Sequence, residues 1–342
     1  MQSPFELNRR QLLLGGLLIL LFVGGLYFLV PKLAGLNRTW GQLERGDPAM
    51  LGLAAVMEIL SIAGYAALFR TVFGRGEPRI DWRASIEIPL AGIAAIRLLA
   101  AAGAGGVALT AWALRNAGMS PPVIACRMVA SYIVQYAVYL GAVIFCGFGL
   151  ALGVLHGPAP LALTVLPAVL SVVLAVLIVS MALVPHDFQR RLERVGDRAG
   201  RVGRVATRLA SVPATLGDGV RTALALIRSR RAGLLGAVAY WGFDIAVLGL
   251  SFHAFGTGVP VAVLVLGYFL GTLGSLLPLP GGIGGVEGGM IGAFVAFGMP
   301  GSRALVGVLA YRAISFWLPT LPGIAGYLTL RSTIRVWQTA DE

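Results

Sequence analysis

Four apolar runs, at residues 11–30, 50–70, 122–150 and 158–184, are each long enough to cross a bilayer, and they constrain the fold more than any other feature. A spanning helix needs about 20 apolar residues, because backbone N–H and C=O groups in hydrocarbon must be satisfied within the segment. Two further runs, 232–255 and 303–330, meet the same requirement. Composition agrees, with 57% hydrophobic residues, 12% charged residues and a mean hydropathy of +0.84, against about 25% charged in a soluble domain. The sequence predicts an all-α, polytopic membrane helical bundle forming a single domain over residues 1–342. The first run follows Arg9 and Arg10 as a secretion signal would, but it is too long and no small-residue cleavage site follows. It reads as a signal-anchor helix.

Two other apolar stretches, 85–117 and 260–299, are interrupted by glycine: GAGG at Gly103–Gly106 and PGGIGG at Pro280–Gly285. The second break lies in LPLPGGIGGVEGG, where two prolines, six glycines and one carboxylate occupy Leu277–Gly289. Proline removes a helix donor and glycine weakens any helix it sits inside, so neither break continues a spanning helix. The halves after each break are about a dozen residues long, too short to span. Each stretch is expected to be a re-entrant hairpin of two half-helices, giving six spans plus two hairpins. An eight-span alternative stays open, since 260–278 alone is nearly long enough to cross.

Arginine placement tests that topology, because short cytoplasmic loops concentrate Lys and Arg. With the N-terminus inside, the 70–84 loop, Arg115, the 185–231 segment and the tail (Arg331, Arg335) are also inside. This puts twenty basic residues in cytoplasmic segments and four outside, and leaves Arg97, Arg127 and Arg312 at membrane depth. It requires the first hairpin to return to the cytoplasmic face and the second to the outer face. Within 185–231, Arg190, Arg191, Arg194, Arg198, Arg201 and Arg208 oppose an apolar stripe of Leu192, Val195, Ala199, Val202, Val205 and Leu209. The segment reads as a basic amphipathic helix on the cytoplasmic membrane surface, facing anionic headgroups, or as a solvated helix packed on neighbouring loops.

An internal repeat links the two hairpins. GAGGVALTAWALRNAGMSPPVIACRMVASY, from Gly103, and GIGGVEGGMIGAFVAFGMPGSRALVGVLAYR, from Gly282, share a small-residue break, GGV, an apolar half-helix, a Gly-Met pair and a later Tyr. Three spans separate them, so the halves, about 85–150 and 260–330, form an inverted repeat. Inverted repeats with broken helices are a transporter architecture, with the cargo site at the breaks.

Several chemistries find no support. The single lysine, Lys32, follows no glycine-rich loop, so the phosphate-cradling motif of ATPases is missing. Cys126 and Cys146 fall in one helix, roughly 30 Å apart, too far for a disulfide. Three scattered histidines give no metal-site spacing. The net charge of +12 resides in loops between apolar runs and reports topology rather than nucleic-acid binding. No cofactor, no metal and no enzymatic activity are expected.

Charges at membrane depth cost several kcal/mol unless paired or wetted. Glu58, Glu87, Arg97, Arg127, Asp244, Glu287 and Arg312 qualify. Glu87 and Arg127 lie near a cytoplasmic end and are expected to snorkel. Glu287 falls on the first turn of a half-helix starting near Val286, where the partial positive charge stabilises a carboxylate or a phosphate. At the equivalent Val107 terminus, Ala108 replaces Glu287, leaving that mouth free for an external anion. Glu287 is expected to pair with Arg312 or Arg97, or to take up a proton together with Asp244 or Glu58; a purely structural Glu–Arg pair is the rival reading.

The run LGYFLGTLGSLLPLPGGIGGVEGGMIGAFVAFGMPGSRALVGVLAYRAISFWLPTLPG resembles the lysylphosphatidylglycerol synthase transmembrane region family, with its P-G-G-x-G-x-x-E break and later Y-R. The AAGAGGVALTAWALRNAGMS stretch is similar to the same family's earlier glycine motif. The resemblance implies a multi-span bacterial inner-membrane protein that moves phospholipids or lipid-linked molecules between leaflets. It places Pro280, Gly281, Gly282, Gly284, Glu287, Tyr311 and Arg312 on motif positions. Full-length synthases carry a soluble aminoacyl-transferring domain after the membrane part; here the last span is followed by about a dozen residues, and lysine transfer is not expected.

The expected function is therefore a lipid flippase or scramblase. Arg97 and Arg312, with Gly105, Gly106 and Val107 at one break and Pro280–Glu287 at the other, would hold an anionic headgroup. The alternatives are a secondary transporter of a small solute or ion, and a non-transporting partner of a lipid-modifying enzyme. Expected partners are membrane phospholipids and anionic headgroups, with a homo-oligomer or such an enzyme open.

Overall fold

A computed structural model describes residues 46–98, 104–182, 215–277 and 282–339, and among them every regular element is helical. In chain order these are α1 (Pro48–Phe73), α2 (Trp82–Leu98), α3 (Ala104–Asn116), α4 (Pro121–Ala151), α5 (Leu161–Met181), α6 (215–228), α7 (Leu235–Ala254), α8 (Val261–Thr272), α9 (Gly285–Ala296) and α10 (Gly301–Thr339). A 3₁₀ turn, Ala232–Leu234, leads into α7, and another, Leu273–Leu276, extends α8. Pro48 and Pro121 open α1 and α4, where the missing N–H is not needed. Asp47 caps α1, accepting from Ala49 N at 2.8 Å.

Five described helices are long and apolar enough to span: Pro48–Phe73, Pro121–Ala151, Leu161–Met181, Ala232–Ala254 and Gly301–Thr339. The sixth expected span, 11–30, lies outside the described residues. The glycine-interrupted stretches form helix pairs of 17 and 13 residues (α2, α3) and of 12 and 12 residues (α8, α9). At about 1.5 Å per residue, α3, α8 and α9 fall well short of the roughly 30 Å hydrocarbon core. Even with its 3₁₀ extension α8 ends at Leu276, so 260–278 does not form a full-length span.

The contacts fix where each pair opens. Arg127 donates to Phe73 O at 3.0 Å, Gln338 to Asn116 Oδ1 at 2.8 Å and Arg79 to Asn116 O at 3.5 Å. The start of α4, the 74–81 loop and the ends of α3 and α10 therefore meet at one end of the bundle, and it is the arginine-rich end. At the other end, Asp47 N donates to Ala254 O at 2.9 Å and Gly307 packs on Phe252. The α2–α3 pair opens toward the arginine-rich end, whereas α8–α9 opens toward the opposite one. Between them α1 and α7 run antiparallel in close contact: a Cβ on Gly64 would sit 2.9 Å from Gly236 O. Such small-residue crossings let backbones approach and gain dispersion contact.

Each pair has its own apolar core. Leu68, Phe69 and Val72 of α1, Ala84, Ile88 and Ala91 of α2, Leu109 and Leu114 of α3, and Leu330 and Ile334 of α10 form one. Phe252 of α7, Leu266 and Phe269 of α8, Met290 and Phe294 of α9, and Ala304 and Val308 of α10 form the other. α1, α4, α7 and α10 pass through both, and between the two cores they carry polar residues: Glu58 and Ser61 on α1, Gln135 on α4, Asp244 on α7, and Arg312, Ser315 and Thr320 on α10.

The amphipathic stripe at 192–209 lies outside the described residues. The described remainder of that segment, α6, packs its apolar face on α4: Val220, Ala223 and Leu226 are buried, and Gly219 lies against Val129. This part is a packed helix rather than one lying free on a surface.

Candidate functional site

The two helix pairs deliver their break residues to one stretch of α10. At the second break Gly282 and Gly284 have φ of +68° and +86°, the left-handed region that only glycine enters without strain. Gly284 then sits at the N-cap of α9 with no side chain to cap it. Glu287, at N3, reaches back to the cap residue itself, its Oε2 accepting from the Gly284 N–H at 2.7 Å. Its other oxygen accepts from Arg312 Nε at 2.7 Å, in an ion pair whose side chains are only 9% and 12% exposed. Of the sequence-stated partners Arg312 and Arg97, Glu287 takes Arg312.

Arg97, at the tip of α2, reaches α10 one to two turns further along. It donates to Ser315 O at 2.8 Å, to Thr320 Oγ1 at 2.9 Å and to Phe316 O. Pro319 explains why a carbonyl of a helix is free to accept: with no N–H, it leaves Ser315 O without its helical donor, and the guanidinium takes that place. The Phe316 ring lies 4.9 Å from the Arg97 guanidinium carbon and 5.2 Å from that of Arg312, so both cations share one aromatic ring.

Asp244 completes the layer from α7. Its Oδ2 accepts from Tyr268 at 2.5 Å and from Tyr311 at 3.2 Å, while Oδ1 is buried. Glu58 is 5% exposed, with the Asp244 carboxyl, within hydrogen-bonding reach, and the Arg97 guanidinium as its electrostatic neighbours. Three carboxyls and two guanidiniums thus share the layer.

Of the sequence-derived residues, the structure gathers Arg97, Glu287, Tyr311, Arg312, Asp244 and Glu58 here. Gly105 and Gly106 are buried in α3, and Gly106 packs on Gly92 and Ile96. Val107 is 41% exposed and lies in the first turn of α3, which starts at Ala104. Pro280 and Gly281 fall outside the described residues. Glu87 and Arg127 belong to the arginine-rich end: Glu87 pairs with Arg83 at 2.8 Å and accepts from Thr333 at 2.9 Å. Arg127 binds loop carbonyls and lies 3.7 Å from Glu77. Tyr268, Ser315, Phe316, Pro319 and Thr320 were not singled out in the sequence. Ser315 and Phe316 stand three and four residues after Arg312, one helical turn away, and Pro319 announces the open carbonyl.

Beside this layer a groove of about 540 Å³ opens between α4, α5, α6, α7 and the end of α8, lined by Tyr132, Tyr136, Tyr139, Trp241, Leu174 and Leu276 among others. Trp241 Nε1 donates to Gln135 O at 3.0 Å and Tyr139 Oη to Phe269 O at 2.8 Å, which fixes the aromatic wall. The Tyr shared by the two sequence repeats has two placements: Tyr132 lines this groove, and Tyr311 binds Asp244. The turns after the short helices match. Gly118 and Gly298 have φ of +98° and +91°. Met119 N donates to Leu114 O at 3.1 Å and Met299 N to Phe294 O at 3.0 Å, one six-residue closure in each.

Several apolar helices of spanning length around a buried polar layer define a multi-pass membrane protein. The family model for the lysylphosphatidylglycerol synthase TM region matches residues 12–323, and the chain belongs to that family. It is also similar to UPF0104 membrane proteins of Methanothermobacter thermautotrophicus (strain Delta H). One is 40% identical over 84 residues, covering 24% of this chain and 25% of the relative. Another is 33% identical over 108 residues, covering 31% of each. The matches span less than a third of these relatives' length.

Proposed function

We propose that this protein is a flippase- or scramblase-like transporter that moves a phospholipid or lipid-linked anionic molecule between the leaflets of a bacterial inner membrane. It acts without cofactor or covalent chemistry of its own. The observation that carries the reading is the convergence on α10: two broken helix pairs opening toward opposite ends bring Arg97 and Glu287 within a few residues of each other on one helix. Buried charge of this kind costs several kcal/mol when it serves packing alone. The neighbouring groove gives acyl chains a lateral path while a headgroup passes the polar layer.

In the conformation described, Glu287 occupies both Arg312 and the N-terminus of α9. An entering phosphate takes those donors in its place, and Glu287, Asp244 or Glu58 accepts a proton as the carboxylate is released. The matched turns at Gly118 and Gly298 support reading the two halves as an inverted repeat, in which the same exchange occurs from either face. Gathering of arginines at one end supports placing that end, with both termini, in the cytoplasm, facing anionic headgroups.

The direct test is leaflet exchange of fluorescent phospholipids in reconstituted vesicles, with wild type and Glu287→Gln. Exchange that is lost in the variant supports the reading; no exchange across several headgroups removes it. The adjoining buried carboxyls of Glu58 and Asp244 favour a second reading, a cation- or proton-coupled carrier of a small solute. Uptake of a soluble substrate, independent of lipid composition, would select it.

A further inference from the structure

Away from the polar layer, a second groove of about 490 Å³ lies between α4 and the turn joining α6 to α7. Its floor is apolar: Val134, Ala137 and Val138 form one stripe on α4, faced by Ile227, Leu234 and Leu235. Its rim carries Arg230 and Arg231. Neither guanidinium, nor that of the adjacent Arg228, has a hydrogen-bond or ion-pair partner among the described residues, and no acidic residue occurs between Asp218 and Asp244. Among the described residues the rim is a double positive charge with no paired carboxylate, above an apolar trough.

The backbone makes the choice of residue more pointed. Arg230 has φ of +49° and is the single non-glycine with positive φ among the described residues. It follows directly on the C-terminus of α6, its N–H bonding Ile227 O at 3.1 Å, a place where helices commonly stop with glycine. Strained non-glycine backbone concentrates where a side chain is in use. Here the left-handed turn sets Arg230 beside Arg231 on one rim.

We infer that this groove is a binding site for an anionic phospholipid, whose phosphate sits between Arg230 and Arg231 while an acyl chain lies along the Val134–Val138 stripe. It goes beyond the transport reading: the lipid is a resident of the arginine-rich end, held whether or not the protein translocates anything. The inference rests only on that end lying at a membrane surface. Charge complementarity selects anionic over zwitterionic lipid, and the apolar trough selects a lipid over free phosphate.

The test uses the full chain in neutral detergent, titrated with dioleoylphosphatidylglycerol or dioleoylphosphatidylcholine and followed by native mass spectrometry. Wild type is expected to retain one phosphatidylglycerol at concentrations where phosphatidylcholine is not retained. Arg230→Gly and Arg231→Gln should each weaken retention about fivefold, the equivalent of about 1 kcal/mol for one basic residue near an anionic surface. Arg230→Lys should keep most of the binding. Glycine takes the same backbone conformation, so Arg230→Gly should melt no lower than wild type in lipid-free detergent, which separates a lost site from a lost fold. Equal retention of both lipids, unchanged retention in Arg230→Gly/Arg231→Gln, or displacement by millimolar inorganic phosphate would each overturn the inference. Because binding is read in micelles, these outcomes are independent of whether leaflet exchange occurs.

Discussion

Replacing Glu287 by methionine should destabilise the protein far more than a typical single change, and replacing Arg312 as well should recover most of the loss. In the single variant Arg312, with a side chain 12% exposed, loses the carboxylate 2.7 Å from its Nε. Removing one partner of a buried pair costs about 3–5 kcal/mol. The Gly284 N–H, 2.7 Å from Oε2, loses its acceptor too, adding about 1 kcal/mol as for a lost helix cap. A cost of about 4–6 kcal/mol corresponds to a fall of at most roughly 8–24 °C in melting temperature at the slope of a 150–250-residue chain, and less in this longer one. The double variant Glu287→Met/Arg312→Met removes both charges together, and buried pairs replaced by apolar residues of similar size are often neutral. Thermal melts in detergent read the stability, and vesicle exchange reads the function. The function reading requires the double variant to melt near wild type yet fail in exchange. A stable double variant with full exchange would make the pair purely structural and refute the reasoning; so would a single variant costing less than about 1 kcal/mol, which is the worth of an exposed pair.

Arg97→Lys should lose the planar fork across Ser315 O and Thr320 Oγ1, because an ammonium cannot span both; a fall of several degrees in melting temperature checks it. Pro319→Ala gives Ser315 O a helical donor again, so the cost of Arg97→Lys should shrink by about 1 kcal/mol in that background, read by a double-mutant cycle. Asp244→Asn keeps an acceptor for Tyr268 and Tyr311 but removes the charge; exchange should survive at reduced rate and lose its dependence on an imposed proton gradient. Gly64→Leu should force α1 from α7, since even a Cβ there would lie 2.8 Å from the Ala239 Cβ; loss of the monodisperse peak in size-exclusion chromatography is the expected outcome.

Much of the architecture was legible because bilayer length is a hard constraint. The runs at 50–70, 122–150, 158–184, 232–255 and 303–330 became α1, α4, α5, α7 and α10. Proline and glycine marked the second break; at the first the glycines marked it only approximately, because Gly105 and Gly106 lie inside α3, which starts at Ala104. Glu287–Arg312 could be anticipated because membrane charges need partners, but Arg97 was paired on paper with a carboxylate and in the fold sits mainly on backbone. That choice depends on Pro319 opening a carbonyl, a local signal in WLPTLPG that charge-counting passes over. The half-helix mouth of α9 was expected to accept an external anion as well as Glu287. In the fold Glu287 fills it, accepting from the Gly284 N–H and pairing with Arg312. The aromatic groove was not legible at all: Tyr132, Tyr136 and Trp241 come from two helices over a hundred residues apart, and only packing brings them together.

The two apolar cores explain why the polar layer lies where it does. Each short pair packs into its own apolar cluster. Arg97 and Glu287 both reach α10, by hydrogen bonds and an ion pair outside those clusters. A bilayer protein that had to part an apolar core to pass a headgroup would lose dispersion contacts across its whole width. In the proposed transport the contacts of Arg97, Glu287 and Asp244 exchange instead. There, three ionised carboxyls against two guanidiniums leave one negative charge, so one proton neutralises the layer and a bound phosphate calls for more. Proton and anion are thereby linked: whichever enters makes the other more favourable, by the reciprocity any shared binding equilibrium obeys.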